Sequence, residues 1–177
     1  MSDTKTLYEQ DLVLWSKQQA EALRAAAQGA TNQPIDWENV AEEIESLGKS
    51  DRRQLGSQVR RIIEHFVKLS HSPSTDPRPG WRGSILDARI QIEDILDDSP
   101  SLRREVPKAI HQQTERGARL AIAELAAHGE LDTALQRELR TRSYLDVFSY
   151  TPDQILGDWF PPDPQPETQP RRRRKDT

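Results

Sequence analysis

The chain has no cysteine among its 177 residues. Disulfides, thiolate metal ligands and cysteine nucleophiles are therefore excluded, and a reducing cytoplasm is compatible. It has no apolar run near the roughly 18 residues that read as a membrane span. Its first residues, "MSDTKTLYEQD", are acidic and lack an apolar centre, so no signal peptide is expected. The sequence thus predicts a cytoplasmic protein without membrane contact. Alternating apolar and polar residues are almost absent, which argues against strands. No internal repeat is present. There is no G-x-S-x-G elbow, no G-x-x-x-x-G-K-S/T loop and no zinc-finger spacing. "GWRGSI" has glycines near a helix start, but no strand precedes it. No metal and no cofactor is implied. Aromatic residues make up only 6% of the chain. Trp15, Trp37, Trp81 and Trp159 fall in four separate segments and are not interleaved with a basic stripe. They read as helix anchors rather than base-stacking platforms.

What the chain does have is charge and helical period. Charged residues are 31% of the total and the net charge is −4. The balance is uneven. "RRRRK", Arg171 to Lys175, holds five cations, and without it 20 basic residues face 29 acidic ones, a net of −9. The body is acidic and the tail basic, so a nucleic-acid partner is expected to meet mainly the tail.

Apolar residues recur at helical spacing. A first helix is predicted from Leu7 to about Ala27, followed by the loop "GATNQP". A second starts at the N-cap Asp36 and stops at Gly48. A third runs from the N-cap Ser50 to about Ser70. "HSPSTDPRPG" reads as a loop, since its prolines and glycine do not continue a helix. A fourth helix spans Trp81 to about Asp97. Ser99 and Pro100 restart the chain, Pro107 restarts it again, and that helix continues to about Ala127. Asp132 to Arg140 is a shorter helix, and Thr151 caps a last one at Pro152. From Pro161 there are five prolines and no apolar residue. The prediction is an all-α antiparallel helical bundle over residues 1–160 and a disordered Pro-rich basic tail over 161–177.

Steps of about 100° per residue assign a face to each side chain. On the second helix the apolar face is Trp37, Val40, Ala41, Ile44 and Leu47. Glu42 points away from it, and Glu43 and Glu45 lie on opposite rims, so these acids do not converge as a metal demands. The third helix turns Leu55, Val59, Ile62, Ile63, Phe66 and Leu69 inward, with Arg52 among them. The fourth turns Trp81, Ile85, Ala88, Ile92 and Leu96 inward, with Arg89 near the centre. On the first helix, Asp11 sits among Tyr8, Trp15 and Ala22. A buried unpaired charge is very unfavourable. Asp11, Arg52 and Arg89 are therefore expected to pair with one another or with Glu43 or Glu45. They would form either a polar core or a pocket for an anionic ligand. His65 and His71 point about 120° apart and cannot share a metal from one helix. His65, with Glu64 and Lys68 nearby, and Trp81 are the candidate ligand contacts.

These residues favour a non-enzymatic helical module that binds a protein or small ligand. An alternative is a metal-assisted hydrolase or nuclease using Glu42, Glu45 and His65, with Arg52 on an anionic group. Another is a nucleic-acid accessory protein acting through Arg171, Arg172, Arg173, Arg174 and Lys175, a weak, salt-dependent polyanion contact.

Several landmarks in order carry a resemblance. They are "YEQDLVLWSKQQAEALR", "DWENVAEEIESLGKSDRRQL", "IIEHFVKL", Trp81 with Arg89, "DSPSL" and "TPDQILGDWFPP". Together they span about Leu7 to Pro162. With them the sequence resembles the bacterial domain-of-unknown-function family numbered twenty-nine, common in cyanobacteria and proteobacteria. The resemblance implies a small all-helical cytoplasmic protein and assigns no catalytic residue. The stretch from Ala109 to Leu145 and the tail match it more loosely.

Overall fold

A computed structural model describes residues 4–29 and 36–164. The basic stretch Arg171 to Lys175, and with it the expected disordered tail beyond Pro164, lies outside them. The described residues form eight α-helices and no strand. They are α1 (Thr4–Gln10), α2 (Leu12–Ala27), α3 (Trp37–His71), α4 (Arg78–Asp98), α5 (Val106–Ala127), α6 (Thr133–Thr141), α7 (Tyr144–Val147) and α8 (Pro152–Leu156). A 3₁₀ segment, Pro100–Glu105, links α4 to α5.

The first expected helix is two helices. Asp11 leaves helical geometry at φ −160° and accepts the backbone N–H of Leu14 at 2.8 Å, which makes it the N-cap of α2. The break rotates everything after it. Val13, Ser16 and Ala20 become the buried stripe, while Tyr8 is 54% exposed.

The second and third expected helices are one. α3 runs 35 residues, about 52 Å at 1.5 Å per residue. Gly48 does not stop it. An added Cβ there would sit 2.7 Å from Ser16 Oγ and 3.4 Å from Val13 Cα. The glycine is therefore a seat for α2, and close packing compensates its poor helix propensity.

α3 is the spine. α2 runs antiparallel along its first half, as Arg24 on Glu38 and Glu45 and Gly48 on Val13 show. α4 runs antiparallel along the second half, through Gln58 on Gln91 and Arg61 on Asp87. α5 follows a full reversal and so runs parallel to α3, through Arg52 on Glu105 and Lys68 on Glu124. The expected α3 face, Leu55, Val59, Ile62, Ile63, Phe66 and Leu69, is fully buried. Ile85, Ala88, Ile92 and Leu96 of α4 meet it, with Val106 and Ile110 of α5. Up to Ser50, the first half of α3 packs mainly on α2 among the described residues, before Asp51 and Arg52 meet Ser99 and Glu105. Of its expected apolar face only Ala41 is buried, while Val40 and Leu47 are over 40% exposed.

Two other starts differ from expectation. α4 begins at Arg78, inside the expected loop, because a proline suits the first turn of a helix. Ser99 does not cap. Its hydroxyl donates to Asp51 at 3.1 Å. Pro107 and Thr151 act as expected, and α7 adds a turn that was not expected, closed by a Ser143–Asp146 capping box.

Two glycines give opposite predictions. At Gly117 a Cβ would lie 2.8 Å from the carbonyl oxygen of Arg60 and 3.1 Å from Ile63 Cγ2. Gly117→Ala gains about 1 kcal/mol of helix propensity. It must also push two backbones apart, and a net loss of about 1–3 kcal/mol is expected. At Gly83 no atom lies within 4 Å of the added Cβ. There the same change should stabilise by about 0.5–1 kcal/mol. Urea midpoints of the two variants check both signs.

Candidate functional site

The structure separates the residues that the sequence suggested as one polar core. Among the described residues Asp11 meets no arginine. Its Oδ2 accepts the N–H of Ser101 at 2.6 Å and its Oδ1 the hydroxyl of Ser101 at 3.0 Å, tying α2 to the 3₁₀ segment. Glu45 accepts from Arg24 Nη2 at 3.0 Å. That hydrogen bond, with nearby Lys49, holds its carboxyl below the usual range. Glu43 is exposed, and its carboxylate has no partner among the described residues. Trp81 packs on the edge of the main core. His65 is half-buried, and its Nδ1 is shielded with no partner among the described residues. Beside it Lys68, 3% exposed, bridges Glu64 at 2.7 Å and Glu124 at 2.5 Å.

Arg89 does point inward, but its partners are carbonyls. Its Nε donates to Ile155 O at 3.0 Å, and its Nη2 to Gln154 O at 2.9 Å and Trp159 O at 2.6 Å. These are the free carbonyls at and beyond the end of α8, where a cation is favoured. Arg89 also lies 5.0 Å over the Phe160 ring. Burial pulls its pKa down, against the raising influence of Asp158. Two further arginines of α4 join it. Arg82 stacks 4.9 Å over Phe160 and reaches Asp163 at 3.2 Å. Arg78, 8% exposed, donates to Leu69 O at 2.8 Å and to Asp163. Three arginines on one helix therefore hold residues 154–163 against the bundle.

Arg52 is the residue that leads to a site. Its Nε donates to both oxygens of Glu105 at 3.0 Å. Both side chains are about one-third exposed, so the pair is worth no more than about 1 kcal/mol. It stands at one end of a groove between α3 and α5. The groove has two lobes, about 120 Å³ and 390 Å³, which share Arg52, Gly56, Gln112 and Gln113. Arg53, Arg60, Arg116 and Lys108 also line it. Five cations thus face one carboxylate. Among the described residues Arg53 uses only a backbone carbonyl, Lys49 O at 3.2 Å, and Arg60 only the Ser57 hydroxyl at 3.4 Å. Gly56 forms the floor, and the Oε1 of Gln113 beside it is buried without a partner among the described residues. The cluster was not read from sequence, since Arg53 and Arg60 lie off the apolar face and Lys108 and Arg116 are far away in the chain. The available signal was a shared interval of eight residues, 52 to 60 and 108 to 116.

Two other hollows lack this imbalance. One, about 770 Å³, contains Glu130 and Asp132. Glu130 is taken by the hydroxyls of Ser72 and Ser74, which lower its pKa, and Asp132 caps α6. The other, about 460 Å³, lies beside Arg89 and balances Arg89 and Arg103 with Glu93 and Asp158.

Two predictions follow from the buried groups. Burial lowers the pKa of His65 and of His71, with Lys68 adding to the effect at His65. The folded state therefore binds protons less readily than the unfolded one near the ordinary histidine value of about 6.5. Stability should be complete above that value and fall as pH drops from 7 to 5.5, above the carboxylate range. Melting temperatures of the wild type and a His65→Gln/His71→Gln variant test this, because the variant should lose the slope. Arg89→Met should remove the donors from three carbonyls, destabilise by about 2–3 kcal/mol, and open residues 150–163 to limited proteolysis.

Among curated proteins none matches this chain. A solved α-helical protein of unknown function from Rhodospirillum rubrum is similar. It shares 27% identity at a TM-score of 0.66, over 85% of this chain and 89% of that one. The profile of the family described as "Domain of unknown function DUF29" matches residues 7–160, and the chain belongs to that family.

Proposed function

We propose that this protein is a non-enzymatic helical interaction module whose ligand is anionic and lies in the α3–α5 groove. One observation carries the reading. Arg52, Arg53, Arg60, Arg116 and Lys108 face a single groove with Glu105 as their one acidic neighbour in its lining. The chain around them is otherwise acidic. Like charges are brought together against their mutual repulsion, and a bound anion relieves that repulsion. In the same reading, residues 1–160 are one helical domain in the cytoplasm. The tail cations Arg171 to Lys175 add a loose second contact for the same class of ligand.

The metal-assisted reading finds no comparable support. Glu45 and His65 lie twenty residues apart on one continuous helix, about 30 Å at 1.5 Å per residue. Glu42 is exposed. No group of three metal-ligating side chains is assembled among the described residues. No helix among them is long and apolar enough to cross a membrane.

The test uses the full-length chain with Arg171, Arg172, Arg173, Arg174 and Lys175 changed to Gln, so that the groove alone is read. This protein should bind immobilised heparin at low salt. Adding Arg60→Glu and Arg116→Glu should weaken binding by tenfold or more. Equal retention with and without the two groove changes would refute the reading.

A further inference from the structure

The groove's spacing says which anion it takes. α3 and α5 run parallel, and each carries its cations eight residues apart. Arg52, Arg53 and Lys108 make one station, and Arg60 and Arg116 make the other. At 1.5 Å per residue the stations are about 12 Å apart along the groove. Between them the lining is neutral and polar: Gly56, Ser57, Gln112 and Gln113. A ligand matched to this surface carries negative charge at intervals with neutral linkers between. The phosphodiester backbone has that form. For a strand stacked as in a duplex, at about 3.4 Å of axis per nucleotide, 12 Å corresponds to roughly three to four steps.

A protein partner is matched less well. Protein interfaces depend on a few apolar or aromatic anchors seated in pockets. Of the apolar lining residues, Leu55 is fully buried and Ala109 nearly so, and no aromatic residue lines either lobe. The groove offers charge and hydrogen-bond donors and little apolar surface to cover. Four of its five cations are arginine, whose planar fork suits phosphate oxygens in pairs.

We infer that the α3–α5 groove binds a chain of phosphate groups, with the backbone of single-stranded nucleic acid as its occupant, two to four phosphates at a time and without base recognition. This inference rests on the anionic-ligand reading above and narrows it. The lack of a stacking aromatic in the groove carries the last clause, since sequence-tolerant binding by base stacking needs one. It also moves the principal nucleic-acid contact from the tail, where the sequence placed it, to the folded body.

Four probes separate the outcomes on the full-length, tail-neutralised chain: a dT 20-mer, a dA 20-mer, linear inorganic polyphosphate, and poly-glutamate of similar length. Fluorescence anisotropy should show the dT 20-mer binding more tightly than poly-glutamate. For about four phosphate contacts, affinity should fall about fifty-fold between 50 and 200 mM salt. Arg60→Gln with Arg116→Gln removes two contacts and should lower the slope of log K against log salt by about 1.4. A dA 20-mer should match dT. Polyphosphate bound as tightly as dT supports the phosphate chemistry but overturns nucleic acid as the occupant. Poly-glutamate bound as tightly as dT overturns the phosphate inference and leaves the anionic-ligand reading standing. No binding to any probe overturns both. Lys108→Glu with Arg116→Glu, both exposed positions, serves as a second variant, with circular dichroism confirming an unchanged helical fold.

Discussion

At Gly117 the backbone of α5 lies so close to the carbonyl of Arg60 that a single added carbon would meet it at 2.8 Å. Helices packed this closely have little freedom to slide, because each ridge of side chains is seated in the other's groove. The register between α3 and α5 is therefore fixed, and with it the position of every cation on their shared rim. Moving α5 by one turn, about 5.4 Å, would take Lys108 and Arg116 out of step with Arg52 and Arg60. Parallel orientation sets which cations meet, Lys108 beside Arg52 and Arg116 beside Arg60. The intervening α4 supplies the reversal that makes α3 and α5 parallel.

The arginines divide into two kinds by what satisfies them. Arg78, Arg82 and Arg89 are packed against carbonyl oxygens, Asp163 and aromatic rings, and their donors are largely spent on the C-terminal segment. They act as structural ties whose burial these acceptors offset, with Arg89 Nη1 left buried without a partner among the described residues. Arg53, Arg60, Arg116 and Lys108 have no carboxylate partner among the described residues and remain in reach of water. Evidence for a site comes from this second kind. Inward direction on a helical wheel singled out one of each kind, Arg89 among the structural ties and Arg52 at the groove, while Arg53, Arg60, Arg116 and Lys108 lie off the faces it marked.

Much of the fold was legible because helical period is a strong signal. The faces of the second half of α3 and of α4 follow it, since both lie against two neighbours. The first half of α3 departs from it because a single neighbour covers a narrower stripe, leaving Val40 and Leu47 in water. Glycine was ambiguous. Gly48 reads as a stop by propensity and acts as a seat by packing, and only the presence of Ser16 and Val13 opposite it decides. Asp11 was ambiguous in the same way, because a carboxylate suits a helix cap as well as an ion pair. The groove was illegible for a different reason. It is assembled from residues 50 to 60 positions apart in sequence, and the helix direction that joins them is a tertiary fact.

The groove also sits in a field that works against it. Apart from the tail, the chain carries an excess of nine negative charges, so a polyanion approaching from a distance is repelled. At physiological salt charges separate from one another electrically beyond about 8 Å. Within that range a ligand in the groove feels the five local cations far more than the distant acids. Lower salt strengthens the attraction in the groove and lengthens the reach of the repulsion outside it. Association should then be slow to begin and local once begun, unlike the long-range steering of a uniformly basic protein. On the proposed reading, such a surface would hold a polyanion along the α3–α5 axis, where the five cations lie, rather than over the acidic remainder of the chain.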